Sequence, residues 1–505
     1  MSPSRLIVVF CFALVLGVPF VFRPKSAERP AGAREVIIIT PHNEQIRTEF
    51  ARAFDEWHRA QYGEPAVIEW VQPGGTSEIR KQLQSVYVNA IANGRLLPDG
   101  TLGEGESPMP NDILFGGGTY EHGQMKRGVR ATPPGADEPI SMTISVPMGL
   151  EQSQLDAWFG ENRIGSGLLY DPEQYWIGTA LSGFGIVYNR DILAKLGVDE
   201  PDSWYDMADP ALAGWVALAD PRLSGSVATT YDSILSNYGW EDGWRILRGM
   251  GANARYFSNS SPKVPIDVSQ GEAGMGVAID FYGRYQAQAV MQPDETAATS
   301  RVGYIDPPGV VMIDADPISI LRAGPNPEMA RRFVEFVLTD EGQALWQFPV
   351  TEEGLGPRTF ELRRQPVRRE FISAFGDRFV DKVNPFEVAS DVRTGAWRSA
   401  IGPMMGAFSI DIHADQVKAW RALNAARLAS EAGTFPPETF EEMETLFFAM
   451  PDHTLPDGRV VPFDEEHYRE VREDWRDSAR WSEARIAYLR FFRENYRRIA
   501  EMWTG

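Results

Sequence analysis

A chain of 505 residues with 43% hydrophobic and 24% charged residues has globular composition, and it is too long for one ordinary core, so two or three packed units are expected. Its 70 acidic side chains outweigh 49 basic ones, giving a formal charge of −21 that repels nucleic acid and anionic membrane surfaces and excludes both as expected partners. The single cysteine, Cys11, excludes an intrachain disulfide, so the core alone must stabilise the fold.

The first feature along the chain is an apolar run at residues 6–22 (LIVVFCFALVLGVPFVF), set between Arg5 and the pair Arg23 and Lys25. This is the pattern of an export signal or an N-terminal anchor within residues 1–30. The run is at the lower limit for spanning a bilayer, and no small-x-small cleavage site precedes Arg34, so removal and retention both stay open. The chain beyond this segment is expected outside the cytoplasm, periplasmic or extracellular, with membrane contact through the segment itself or through a partner. Cys11 lies inside the run and reads as a buried hydrophobe.

Residues 36–39 (VIII) form a β-branched run ending at Thr40-Pro41, and residues 44–57 then repeat Ile46, Phe50, Phe54 and Trp57 at helical spacing. A second strand at 67–71, a turn at 73–77, a helix at 78–92 and a third strand at 112–115 ending in Gly116, Gly117 and Gly118 continue the alternation. Such alternation predicts an α/β fold with a mainly parallel sheet and a ligand site beyond the carboxyl ends of the strands. The Gly/Pro-rich stretch 94–111 reads as a surface insertion. A second α/β set starts near 186–189 and includes 215–219, a helix near 231–251 and a strand at 276–279. Residues 326–345 read as one helix with Pro327 in its first turn. Beyond about residue 370 the pattern is helical, and the stripe of the last helix, 475–503 (Trp475, Trp481, Ile486, Leu489, Phe492, Tyr496 and Ile499), is expected to pack on its own lobe, with contact to a membrane partner as the alternative.

No HExxH, GxSxG, P-loop, CxxC or dinucleotide-binding glycine pattern occurs, and the six histidines form no close metal pair. Small polar residues gather instead at strand-to-helix junctions: Gly75 and Thr76, Gly118 and Thr119, Ser182, Ser224 and Gly225, Asn259 and Ser260. Free N–H groups at a helix start with a hydroxyl beside them hold a phosphate or carboxylate, although the same residues are also the usual helix caps. Asp220, just before Arg222, reads as structural.

At residues 316–346 (DPISILRAGPNPEMARRFVEFVLTDEGQALW) the chain resembles bacterial extracellular solute-binding proteins of ABC importers, in the ferric-ion, thiamine, phosphonate and hexose-phosphate receptor group. Residues 181–193 (LSGFGIVYNRDIL), 217–230 (ALADPRLSGSVATT) and 271–285 (GEAGMGVAIDFYGRY) are similar to other segments of that group. The resemblance covers roughly residues 35–360 and implies a two-lobed type II periplasmic-binding-protein fold, α/β, with hinge and cleft, and an ABC importer permease as partner. Lobe one is then expected at 35–180, lobe two at 181–310, a return segment at 311–360, and a helical extension at 361–505 packed mainly on lobe two.

Ferric-ion receptors of this group hold the metal with two adjacent tyrosines, a histidine and an acidic residue. Here the tyrosine pair reads Phe281-Tyr282, no carboxylate stands in the run Gly116–Gly118, though Glu121 is near, and His42 lies within one residue of the histidine position. Only Tyr282 and His42 remain from the iron set, so the resemblance favours an anionic or phosphorylated organic solute, with ferric ion as the alternative ligand and no cofactor. The expected site is His42, Gly75, Thr76, Gly118 and Thr119 from lobe one and Ser224, Gly225, Asn259, Ser260, Asp280 and Tyr282 from lobe two, with Asp280 accepting ligand hydroxyls. An anchored sensor using the same cleft, and a hydrolase using Asp280 with His42, are the alternatives of other classes.

Overall fold

Strand β1 (Arg34–Ile39) buries Val36, Ile38 and Ile39, because helices cover both faces of the sheet it starts. In the computed structural model, which describes residues 30, 32–296, 298–307 and 309–503, helix α1 (Glu44–Tyr62) comes next. The leader at 6–22 and Cys11 lie outside the described residues. The Asn43 side chain caps α1 by accepting the Ile46 N–H (3.1 Å), and Gly63, at φ 73°, ends it in the left-handed region. Strand β2 (Ala66–Val71) pairs parallel with β1, helix α2 (Thr76–Ala92) crosses over, and β3 (Ile113–Phe115) pairs parallel on the other side of β1. Helix α3 (Thr119–Arg127) leaves the end of β3. The stretch 94–111 is anchored to this lobe, with Leu96 and Met109 buried beside Ile91 and Leu114.

Strand β4 (Ile177–Asn189) is buried along its whole length and enters lobe two. There β5 (Val216–Ala219), α4 (Gly225–Tyr238), α5 (Trp240–Asn253), β6 (Ala254–Ser258), α6 (Lys263–Ser269), β7 (Met275–Ile279), α7 (Asp280–Ala289) and β8 (Val302–Ile305) succeed one another. Strand β9 (Ile313–Leu321) carries the chain back to lobe one. The strand order is β2-β1-β3-β9-β4-β7-β5-β6, with β8 also on β4. Gly183 faces Ile313 of β9, whereas the next residue, Phe184, faces Ile279 of β7. The sheet therefore changes lobe within β4, and the return crossing lies between β8 and β9. Two crossings between two α/β lobes form the hinge expected from the sequence.

Two helices differ from the expected ones. The predicted helix at 231–251 is α4 and α5, parted at Gly239 (φ 82°). The predicted helix at 326–345 is α8 (Pro327–Leu338) and α9 (Asp340–Gln347), parted at Thr339, whose hydroxyl caps α9. Hydrophobic periodicity runs through both breaks because each pair of helices lies on one core.

The expected extension divides between the lobes. Strand β10 (Gln365–Pro366) pairs with β4 at Leu181 and Ala180, and Phe371 and Phe379 pack with Phe348 beside lobe one. From α10 (Arg398–Met405) onward, α11 (His413–Glu431), α12 (Pro437–Phe448) and α13 (Ser478–Met502) share one core with lobe two, in which Phe408, Phe447 and Phe492 join Tyr231 and Trp244. Phe492, Tyr496 and Ile499 of the expected stripe face inward on α13 together with Tyr488, so most of that stripe packs on its own lobe, whereas Ile486 is exposed and Trp475 lies before the helix begins. Arg248 is buried there with no carboxylate partner among the described residues. Its guanidinium donates to the Phe447 (2.6 Å) and Ala449 (2.9 Å) carbonyls and lies against the Phe408 and Phe492 rings. No helix among the described residues is long and apolar enough to cross a membrane.

Gln343 holds the extension to lobe one. Its buried amide donates to the Thr179 (2.9 Å) and Val337 (2.8 Å) carbonyls and accepts the Val367 N–H (2.9 Å). Gln343→Ala leaves these groups unpaired, and a loss of about 2–3 kcal/mol is expected in urea unfolding.

Candidate functional site

Thr76 at the start of α2, and Gly118, Ser224 and Pro262 just before α3, α4 and α6, all reach the gap between the lobes, and together with the hinge strands they enclose a cleft of about 510 Å³. Its floor is Ser182 and Phe184 of β4, Asp314 and Asp316 of β9, Phe281 and Tyr282 of α7, and Arg364 from the extension. Asp316 is the centre of that floor. Its carboxylate accepts the Gly117 N–H (2.6 Å) and forms an ion pair with the Arg364 guanidinium, both side chains being about 95% buried or more. Arg364 also stacks 4.2 Å from the centre of the Phe281 ring and donates to His42 Nε2 (2.9 Å).

An arginine has no acceptor, so this contact makes His42 Nε2 the acceptor and places the imidazole proton on Nδ1. The 3.2 Å approach of Nε2 to Asp316 is then a contact through their shared arginine, not a second hydrogen bond. Burial, then Arg364 and Arg47, holds the His42 pKa well below its usual value, so the ring is neutral. Gly116 (φ 94°) and Gly117 (φ 112°) lie under this group, and a Cβ would stand 2.4 Å from the His42 ring at the first and 2.3 Å from Thr76 at the second. The glycine run is thus the space that His42 and Thr76 occupy.

Three polar atoms of cleft-lining residues are buried with no partner among the described residues: His42 Nδ1, Ser182 Oγ and Arg364 Nε. Asp314 also lines the cleft, accepting the Thr119 hydroxyl (2.8 Å) and N–H (3.1 Å). Burial pushes its pKa up to about 6 against those two hydrogen bonds, and Glu121 adds to the rise.

Of the residues expected from the sequence, His42, Gly75, Thr76, Gly118, Ser224, Asn259, Ser260 and Tyr282 line this cleft, as does Phe281. Gly75 does so with its N–H directed to the Glu78 carboxylate (3.2 Å) at the start of α2. Ser224 caps α4, accepting the Val227 N–H (3.4 Å), and its hydroxyl lies 3.0 Å from that of Ser226. Asn259 and Ser260 are exposed at the mouth. Asp220 accepts the Arg222 N–H (2.8 Å), the structural role expected of it.

Thr119, Gly225 and Asp280 are not on the wall. Thr119 is turned to Asp314, and Gly225 offers its carbonyl to Arg398 (2.9 Å). Asp280 lies behind the floor, in a small space with Gly183, Arg284 and Asp306. Its carboxylate accepts the Phe281 N–H (2.8 Å) at the start of α7, so it serves the hinge and not a ligand hydroxyl. The hydrolase alternative needs His42 beside Asp280, but the polar contacts of His42 are with Arg364 and Asp316. Glu121 is buried at the lobe boundary, outside the cleft. Sequence reading missed Asp314, Asp316 and Arg364. The two acids at alternate positions of a buried strand were a usable signal, whereas nothing local to Arg364 points to the cleft.

Residues 162–358 match the family model described as bacterial extracellular solute-binding protein. That segment is the end of lobe one, lobe two and the return crossing. The phosphoglycerate transport regulatory protein PgtC of Salmonella typhimurium is 25% identical over 169 residues, 34% of this chain and 40% of that protein. The chain thus spans about two fifths of the length of the curated relatives it matches. Among solved structures, the periplasmic binding protein AfuA from Actinobacillus pleuropneumoniae, with fructose-6-phosphate bound, is 15% identical, covering 69% of this chain and 99% of that one at a TM-score of 0.47. The ferric binding protein from Campylobacter jejuni is 16% identical, covering 74% and 99% at a TM-score of 0.47.

The buried charges of the hinge give two measurable outcomes. Arg364→Met leaves Asp316 buried and unpaired, and a loss of about 3–5 kcal/mol in urea unfolding is expected. Burial pushes Asp280 up to about 6, with Arg284 opposing and Asp306 adding. A raised folded pKa means that the ionised group costs stability above pH 6, and that the cost disappears as pH falls towards the unfolded value near 4. Asp280→Asn is therefore expected to stabilise the fold at pH 8, by up to about 3 kcal/mol, and to have little effect near pH 3, by the same measurement.

Proposed function

We propose that this chain is an extracytoplasmic solute-binding receptor whose lobes close on a small anionic organic solute, a phosphorylated one in preference to ferric ion, for delivery to an ABC-type importer. The observation that carries this reading is a set of unpartnered groups on residues of the cleft floor, buried just beneath its surface. His42 Nδ1–H and Arg364 Nε–H only donate, and the Ser182 hydroxyl is able to donate, so these three groups call for an acceptor, whereas the Asp314 and Asp316 carboxylates beside them already receive Thr119, Gly117 and Arg364. Each unmet buried donor costs about 1–3 kcal/mol, which a ligand rich in oxygen acceptors recovers. The starts of α2 and α4 add N–H groups that have no acceptor within their helices.

Ferric ion fits this floor poorly. At the first tyrosine position stands Phe281, covered by a guanidinium that repels a trivalent cation. Burial pushes the Tyr282 hydroxyl up to about 12, so it is a neutral phenol rather than the phenolate a hard cation needs. Among the described residues no three His, Cys, Asp or Glu side chains are grouped to hold a metal. The partial match to a protein named for phosphoglycerate transport supports a phosphorylated ligand. Transport, not catalysis, also agrees with the separation of His42 from Asp280. The importer permease as partner and the extracytoplasmic location rest on the family pattern.

Thermal unfolding of the full chain with 3-phosphoglycerate, hexose phosphates, inorganic phosphate and ferric ion tests this. A ligand specific to the folded state raises the midpoint by mass action. The expected result is a rise with a phosphorylated organic compound and none with iron, and a roughly tenfold weaker affinity in Ser182→Ala. A rise with ferric ion alone, with a tyrosinate-to-iron absorption band, would overturn the reading.

A further inference from the structure

We propose that Arg398, supplied by the C-terminal extension, is the latch that holds the two lobes closed over the cleft. Helix α10 packs on α4 of lobe two, with Ala400, Ile401 and Met404 in that lobe's core. From the first residue of α10, the Arg398 guanidinium donates to the Thr229 hydroxyl (2.9 Å) and the Gly225 carbonyl (2.9 Å), both on α4. The same guanidinium lies 3.4 Å from Glu121 on α3 of lobe one and 4.9 Å from the centre of the Tyr120 ring. One side chain thus joins both lobes, and it is 93% buried where it does so.

The argument for a latch, beyond mere contact, is the charge that closure brings together. Glu121 is 1% exposed, its Oε1 also receives the Ser77 hydroxyl (3.4 Å), and its Oε2 has no partner among the described residues. Asp314 stands close enough for Glu121 to raise its pKa, and Arg398 lowers it. Asp232 on α4 is likewise buried and eased by Arg398. Without that cation, closure would leave Glu121 of lobe one and Asp232 of lobe two buried at the boundary without the charge that eases them. With it, the guanidinium is already fixed by two lobe-two acceptors, so docking Glu121 costs little further side-chain freedom. The lobes also meet at van der Waals limits: a Cβ on Gly75 would stand 2.5 Å from the Leu223 carbonyl oxygen, and one on Gly225 3.1 Å from the Glu121 carboxylate.

The latch rests on the hinge-closure reading but not on the ligand, so small-angle scattering from the ligand-free full chain tests it. Arg398→Gln and Glu121→Gln are each expected to enlarge the radius of gyration, with the double variant no larger than either single one. Gly75→Ala, a steric wedge that leaves the ion network intact, is expected to act in the same direction. Glu121→Gln leaves α10 and the lobe-two core untouched, so it remains decisive if Arg398→Gln folds poorly. With 3-phosphoglycerate as probe, both charge variants are expected to bind at least about fivefold more weakly. An unchanged radius in both charge variants would overturn the proposal. So would enlargement in Arg398→Gln without it in Glu121→Gln, because Arg398 would then act within lobe two alone. Failure of the probe to bind the unaltered chain would count against the proposed ligand, while the scattering result would still decide the latch.

Discussion

The Asp316 carboxylate has to be neutralised inside a closed protein, and much of the cleft is arranged by how that is done. A carboxylate on a buried strand is costly unless a cation and hydrogen-bond donors meet it there. The Gly117 N–H supplies one donor, which requires the left-handed turn at Gly116 and Gly117. The cation comes from Arg364, which reaches the floor because β10 is paired to the crossing strand β4. With Arg364 in place, His42 Nε2 becomes an acceptor, and its other nitrogen is left as a donor among cleft residues. One buried charge thereby connects the extension, the glycine turn, the tautomer of a histidine and the character of the floor.

The same arrangement reconciles the proposed anionic ligand with a chain whose formal charge is −21. The global field disfavours anions at long range, but that field is screened within about 8 Å at physiological ionic strength. Inside the cleft the local donors decide. Helix starts and hydroxyls supply partial positive charge without a free cation, and the single arginine on the floor is already paired. Selectivity by shape and hydrogen bonding is expected of such a site more than selectivity by charge alone.

Positions beyond the matched family segment are part of the working molecule. Arg364 and Arg398 belong to the stretch after residue 360, and they reach the floor and the lobe boundary respectively. Gln343 and β10 fasten the first part of that stretch to lobe one, while α10 to α13 merge with the core of lobe two. The extension therefore touches both sides of the hinge, and its packing constrains how the lobes move relative to one another.

The α/β alternation, the positions of most strands, the glycine turn after β3 and the hydroxyl-bearing helix starts were legible in the sequence, because each is set by neighbours within a few residues. Val36 to Ile39 are apolar for the sheet they enter, and Ser224 caps the helix it precedes whatever else it touches. The direction of Asp280, the turning of Thr119 to Asp314, and the partnerships of Arg364 with Asp316 and Arg398 with Glu121 were not legible. Each depends on segments far apart in the chain meeting where water is excluded, and only the tertiary structure sets which charges are desolvated together. The sequence by itself determined that there are two lobes with a polar cleft between them. Which charges lie on the floor, and which side chain spans the boundary, was decided by the packing of the extension across the hinge.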